Sequence, residues 1–127
     1  MNIPDGLLCA KTHEFVIDYG DYAVVGLTDI LLQKLGDIIF VEFPDTNSVY
    51  AKKEVFATVE ADGAATELYM PVAGKIIEIN PLLNDSLDAL NNEPLSDGWL
   101  VKIEPLDFQA DIYDLSDYND YVQENNQ

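Results

Sequence analysis

Short runs in which apolar and polar residues alternate recur along most of the chain, with turn residues between them. Residues 15–18 and 22–27 flank a turn that contains Gly20 and predict a β-hairpin. Residues 37–44 and 75–79 are also strand-like, and a proline closes the first of these two segments. Many short strands at regular turn spacing predict a mainly β fold of short antiparallel strands.

The clearest pattern lies between residues 54 and 79. Residues 54–59 alternate polar and apolar side chains, which is typical of a half-buried strand. Asp62-Gly63 follows, and this pair is a strong hairpin signal because both central residues of a type I′ turn need positive φ. The sequence therefore predicts a hairpin whose tip, residues 61–66, lies in solvent.

Two segments carry helical signals. Thr28 can cap a short helix over Asp29–Leu35, and Gly36 can end it. From residue 105 the apolar spacing becomes three or four residues, which predicts an amphipathic, acidic C-terminal helix over residues 105–122. Its apolar stripe consists of Phe108, Ile112, Leu115, Tyr118 and Val122.

Between the central hairpin and this helix, residues 80–93 predict a polar loop that leucine side chains anchor. Residues 97–103 predict a turn and a closing strand, with Trp99 in the core. The anchoring leucines are Leu82, Leu83, Leu87 and Leu90.

Composition narrows the class of protein. The chain has 127 residues, 48% of them hydrophobic, which suits one folded domain. Its 24 acidic and 6 basic residues give a formal charge of −18, which repels nucleic acid and anionic membranes. We expect a cytoplasmic location, since no apolar run is long enough to span a bilayer and no signal-peptide pattern is present. We also expect a monomer.

Few residues suggest catalytic or metal chemistry. Cys9 is the only cysteine and His13 the only histidine, so a buried inert thiol and a structural imidazole are expected. The chain has no catalytic-triad spacing, no phosphate-binding glycine loop and no metal-ligand cluster. It is therefore predicted not to be an enzyme and to hold no metal.

The central hairpin carries a family resemblance. Residues 60–66 read EADGAAT and residues 68–74 read LYMPVAG. These runs resemble the lipoyl-attachment hairpin of the glycine cleavage system H protein, Glu-Ser-Val-Lys-Ala-Ala-Ser followed by apolar-Tyr-Ala-Pro-Val-x-Gly. Residues 26–28, 35–44 and 98–103 are similar to further H-protein segments, so the resemblance covers about residues 7–122.

The resemblance implies a fold, a cofactor and partners. The fold is one flattened barrel-sandwich domain of the lipoyl/biotinyl type, spanning residues 1–127. An H protein is a carrier rather than a catalyst, and it holds an aminomethyl group on lipoyl-lysine. Its partners are glycine cleavage enzymes and lipoate attachment enzymes.

One position departs from the family motif. The lysine that would carry lipoate falls on Gly63, flanked by Glu60, Asp62, Ala64 and Ala65. Lipoate is attached through an amide to a side-chain amine, which glycine lacks, and a carboxylate such as Asp62 is not a nucleophile toward an acyl-adenylate. No bound cofactor is therefore expected.

Three functions stay open on the sequence. The first is a non-catalytic binding or regulatory module that has lost lipoate attachment. The second is a genuine aminomethyl carrier that uses another lysine, with Lys52, Lys53 and Lys75 as the nearest candidates. The third is an acidic interaction protein for a basic partner.

Overall fold

Short antiparallel strands dominate the computed structural model of the chain, which describes residues 6–107 and 113–114. The strands within these ranges are β1 (Leu7–Cys9), β2 (Glu14–Asp18), β3 (Ala23–Leu27), β4 (Ile38–Glu42), β5 (Val49–Tyr50), β6 (Val55–Ala61), β7 (Ala64–Tyr69), β8 (Ala73–Ile79), β9 (Val101–Asp107) and β10 (Tyr113–Asp114). The helical segments there are α1 (Asp29–Leu35), a 3-10 turn (Pro81–Leu83) and α2 (Asp88–Asn92).

The strands form two antiparallel sheets. The larger sheet has the order β10-β1-β2-β3-β9-β8-β5, and the smaller one has the order β4-β6-β7. The predicted hairpin over residues 15–27 is β2–β3, in which Val16 pairs with Val25. The prediction of a mainly β, flattened barrel-sandwich of short antiparallel strands is confirmed.

The larger hydrophobic cluster joins the two sheets. It contains fully buried residues of the larger sheet, such as Val25, Ile76 and Ile103, together with Val59 and Leu68 of the smaller sheet. Burial of each such aliphatic side chain contributes on the order of 2 kcal/mol. This shared core fixes the position of the β6–β7 hairpin on the rest of the molecule.

A second cluster includes the alternate side chains of β2 and β3. Phe15, Ile17 and Val24 pack there with Leu95, and Trp99 lies partly buried against them. The prediction of Trp99 as a core residue thus holds only in part. The alternation expected of these two strands is therefore wrong: β2 and β3 contribute to both clusters, and nearly all of their residues are buried.

Helix α1 begins and ends where its sequence predicts. The Thr28 hydroxyl accepts a hydrogen bond from the Leu31 N–H at 3.3 Å, and Asp29 lies in the first turn. Gly36 follows the last helical residue with a φ of 84°, and its N–H donates to the Leu32 carbonyl.

Residues 80–93 contain more regular secondary structure than the polar loop that the sequence predicts. It contains the 3-10 turn and α2, whose five residues are too short for a periodic pattern to reveal. Leu83 and Leu90 are buried and Leu87 packs partly against the core, as expected of anchors. Leu82 is not an anchor, since 58% of its surface is exposed.

The helix predicted over residues 105–122 is wrong at five positions. Residues 105–107 continue β9, where Pro105 lies opposite Gly74, and Tyr113–Asp114 pair with Leu8 and Cys9 as β10. Cross-strand pairing at both places overrides the three-to-four residue spacing, which is only a weak local preference. The other residues of the predicted helix, 108–112 and 115–122, lie outside the described residues, and they include all of its apolar stripe.

Cys9 supports a prediction about reactivity. Its side chain is fully buried in β1, and burial, with a smaller contribution from Asp29, raises the pKa of the thiol to about 12. We expect negligible reaction of the folded protein with an aromatic disulfide reagent at pH 8, measured by thiolate release. The same protein in concentrated urea should react fully, and complete labelling without urea would contradict this prediction.

Candidate functional site at the hairpin tip

The candidate site is the turn that joins β6 to β7. Ala61 and Ala64 are the last paired residues, so Asp62 and Gly63 form a two-residue turn. Their φ angles are 53° and 81°, and positive φ at both positions is what a type I′ turn requires. The predicted Asp-Gly hairpin is therefore present at the predicted place.

The flanking residues present carboxylates and methyl groups to solvent. Glu60, Ala64 and Ala65 are exposed on either side of the turn, and Asp62 is exposed within it. Ala61 is an exception to the solvent-exposed tip that the sequence predicts, because it is only 4% exposed and belongs to the core cluster. Within the tip, no side chain supplies an amine.

Lack of space does not explain why position 63 is a glycine. A β-carbon added there meets no heavy atom within 4 Å. A longer side chain therefore fits, at the backbone cost of a positive φ. The backbone requirement of the turn, rather than crowding, is what favours glycine at this position.

The three lysines considered as other attachment points lie away from the tip. The Lys53 N–H donates to the Met70 carbonyl at 2.9 Å, at the open end of the β6–β7 hairpin. Strand β6 separates that end from the tip by roughly 20 Å. Lys52 is the neighbour of Lys53 in sequence, and Lys75 lies in β8 opposite Val49 of the larger sheet.

A cavity of about 440 Å³ adjoins the open end of the hairpin. Thr12 and Tyr69 belong to its wall, and behind them lies Glu14 of β2, which is 1% exposed. The Glu14 carboxylate accepts hydrogen bonds from the Tyr69 N–H at 2.9 Å and from the Thr12 hydroxyl. The full lining is Ala10, Lys11, Thr12, Lys52, Lys53, Tyr69, Met70 and Pro71.

Glu14 is a residue that the sequence interpretation missed. Burial raises the pKa of its carboxyl to about 7, although its hydrogen bonds, those from Thr12 and Tyr69 among them, act in the opposite direction. A signal was present, because alternation in β2 places Glu14 on the same face as Val16, which belongs to the larger core cluster. Glu14 thus ties β2 to β7 from inside the protein.

His13 stabilises a turn through its backbone. It has a φ of 80°, its N–H donates to the Ala10 carbonyl at 2.9 Å, and its own carbonyl accepts from the Thr28 N–H at 3.0 Å. Burial and the nearby Lys34 lower the pKa of the imidazole. Within residues 6–107 and 113–114, no three His, Cys, Asp or Glu side chains are grouped so as to hold a metal ion.

Within the part of the chain that the structure describes, no helix has the length and apolar character needed to cross a bilayer.

Known proteins resemble the chain along nearly its whole length. Residues 7–127 match the family model described as glycine cleavage H-protein. The chain is 39% identical over 126 residues to the glycine cleavage system H protein of Halothermothrix orenii, with 98% of each chain covered. It is 42% identical over 125 residues to that of Pelodictyon phaeoclathratiforme, with 97% of each covered.

A solved structure shares the fold. A glycine cleavage system H protein from Mycobacterium marinum superposes with a TM-score of 0.85 at 24% identity, covering 98% of this chain and 100% of that one. The resemblance that the hairpin motif indicates is therefore confirmed by the family match over residues 7–127. The chain belongs to the glycine cleavage H-protein family.

Proposed function

We propose that the chain is an H-protein fold that binds protein partners without carrying lipoate. Gly63 at the tip of the β6–β7 hairpin carries this proposal. It occupies the position of the lipoyl-lysine in the family motif, and glycine has no amine to form the amide. The adjacent Glu60 and Asp62 offer carboxylates, which do not attack an acyl-adenylate.

The partners in this proposal are those that the family resemblance implies, namely glycine cleavage enzymes or lipoate attachment enzymes. A chain with the family fold but no acceptor can occupy the surfaces at which these enzymes receive an H protein. It transfers nothing once bound. The consequence is a non-catalytic, regulatory role in which the chain competes with a lipoylated carrier.

The carrier alternative, with lipoate on another lysine, has less support. Lys52 and Lys53 lie at the open end of the hairpin, roughly 20 Å from its tip, and Lys75 belongs to the other sheet. None of them stands in a two-residue turn between paired strands, which is the local structure around position 63.

Intact mass after co-expression with a lipoate ligase and lipoate tests the proposal. The native chain is expected to keep its unmodified mass, whereas Gly63→Lys gains one lipoyl group because the open space at position 63 admits the side chain. Gly63→Ala is the matched control, since it has the same backbone strain without an amine.

Two outcomes would count against the proposal. Lipoylation of the native chain would restore the carrier function, and peptide mapping would then identify the modified lysine. Absence of lipoylation in both the native chain and Gly63→Lys would show that the ligase no longer recognises the surroundings of the tip. A modified Gly63→Lys beside an unmodified native chain would support the loss of the acceptor alone.

A further inference from the structure

Two large apolar side chains are exposed next to each other on β4. Ile39 is 65% exposed and Phe40 is 53% exposed. The pairing of β4 with β6 shifts register between Ile38 and Phe40, so the strand has an irregularity there. An extra residue of this kind interrupts the inward–outward alternation, which explains why two successive apolar residues both reach solvent.

A groove runs beside these residues, between β4 and residues 83–91. Its volume is about 620 Å³, and Phe43, Leu83 and Leu87 provide apolar lining. Asp85 and Asp88 add carboxylates to the same lining.

Asn91 of α2 joins the two sides of the groove through the backbone of Ile38 in β4. Its side-chain amide accepts a hydrogen bond from the Ile38 N–H at 2.8 Å and donates one to the Ile38 carbonyl at 3.0 Å. The groove is therefore fixed on both sides, by β4 on one and by α2 with the residues before it on the other.

The charged residues that line the groove, and those of the neighbouring strands β4, β6 and β7, have one sign. Strands β4, β6 and β7 and the groove lining contain no lysine, and all six lysines of the chain lie elsewhere. Three of them, Lys11, Lys52 and Lys53, line the separate cavity at the open end of the hairpin. The acidic residues of the three strands and of the groove are Glu42, Glu60, Glu67, Asp85 and Asp88.

This segregation of charge decides the kind of occupant. A second copy of the chain would bring the same negative face against this one, and juxtaposed like charges oppose association. A partner with basic side chains around an apolar projection would pair with the carboxylates and cover Ile39 and Phe40. Exposed aromatic anchors inside a polar rim are typical of residues that dominate binding energy.

The groove also lies close to the hairpin tip. Phe40 pairs with Glu60, which precedes Gly63 by three residues. With strands about 4.8 Å apart and a rise of about 3.3 Å per residue, Phe40 lies on the order of 10 Å from the turn. A protein that contacts the turn is therefore also within reach of the groove.

We infer that the groove formed by β4 and residues 83–91 is the docking surface for a protein partner that presents an apolar projection surrounded by basic side chains. The inference rests on the proposed function, in which the chain acts by binding. It adds the surface used and the chemistry of the partner surface that fits it.

Equilibrium binding tests the inference with the native chain. The probes are purified lipoate ligase and the purified enzymes of a glycine cleavage system, titrated one at a time by calorimetry. Phe40→Ser is expected to weaken binding to the enzyme that docks by about tenfold or more. Val49→Ser is the matched control, because Val49 is 61% exposed on β5 of the larger sheet and should leave the affinity unchanged.

The carboxylates give a second, independent readout. The affinity of the native chain should fall as salt rises, because the paired charges are exposed and screened. The double variant Asp85→Asn/Asp88→Asn should reduce that salt dependence, whereas the exposed Glu104→Gln of β9, outside the groove, should not.

The outcomes separate this inference from the proposed function. If an enzyme binds and Phe40→Ser binds it as tightly as the native chain, the groove is not the docking surface and the binding function stands. If no enzyme binds, both the groove and the proposed function are wrong. Weakening by Phe40→Ser but not by Val49→Ser, with the expected change in salt dependence, supports the groove.

Discussion

Gly98→Ala is expected to destabilise the fold by about 3 kcal/mol. A β-carbon at position 98 would overlap the Ala89 carbonyl oxygen and lie 2.7 Å from the Leu90 Cα. Both atoms belong to the backbone of α2, so no side-chain rotation can relieve the clash. The loop before β9 and the helix must therefore separate, which exposes the buried Leu90.

Urea unfolding followed by circular dichroism measures this effect. Gly63→Ala is the control, because it adds the same methyl group where nothing lies within 4 Å. Its cost is that of a positive φ, about 1 kcal/mol. A Gly98→Ala variant at least as stable as Gly63→Ala would contradict the close contact between this loop and α2.

Glu14→Gln is expected to change how stability depends on pH. The pKa of Glu14 is about 7 in the folded chain, against an ordinary value of 4.5. Because the folded state binds the proton more tightly, protonation of Glu14 contributes to the free energy of unfolding. This contribution is fully present below about pH 4.5 and is lost as the pH rises through 7. A pKa difference of this size corresponds to about 3 kcal/mol.

Glutamine stays neutral at every pH and can keep both hydrogen bonds, by accepting from the Tyr69 N–H and donating to the Thr12 hydroxyl. At pH 8 the variant should therefore be more stable than the native chain by up to about 3 kcal/mol, and near pH 4.5 the two should be equal. Urea unfolding from pH 4 to 8 gives the comparison, with the exposed Glu104→Gln as the control for net charge. A native chain that gains stability over Glu14→Gln as the pH rises would contradict the raised pKa.

Local chemistry predicted much of this fold. The Asp62-Gly63 turn, the Thr28 cap and Gly36 after α1 depend on a few neighbouring residues, so their sequence signals suffice. The β2–β3 hairpin is a similar case, because one short turn sets its register.

Pairings between distant segments were not predictable in the same way. Strand β5 has two residues and exists because Val49 and Tyr50 meet Lys75 and Gly74 of β8. Strand β10 likewise depends on β1, although the apolar spacing around its two residues predicts a helix. A pattern within two residues does not indicate which distant segment those residues pair with.

In the candidate site too, features set by neighbouring residues were predictable, and features set by distant packing were not. Gly63 and its neighbours were predictable, because the hairpin signal and the family motif fall on the same residues. Strand alternation indicates that Glu14 faces the core, but its hydrogen bond from the Tyr69 N–H was not predictable, since it arises from the packing of β2 against β7. The exposure of Ile39 and Phe40 was also hidden, because an ordinary alternating strand buries one of two successive residues.

The position of β3 between β2 and β9 has a consequence for synthesis on the ribosome. Val25 pairs with Val101, which is translated roughly 75 residues later, about 4 to 15 s at common elongation rates. During that interval one edge of a strand that is fully buried in the finished protein lacks its partner. Because like charges repel, the strongly negative charge of the chain opposes pairing between neighbouring nascent chains at that edge.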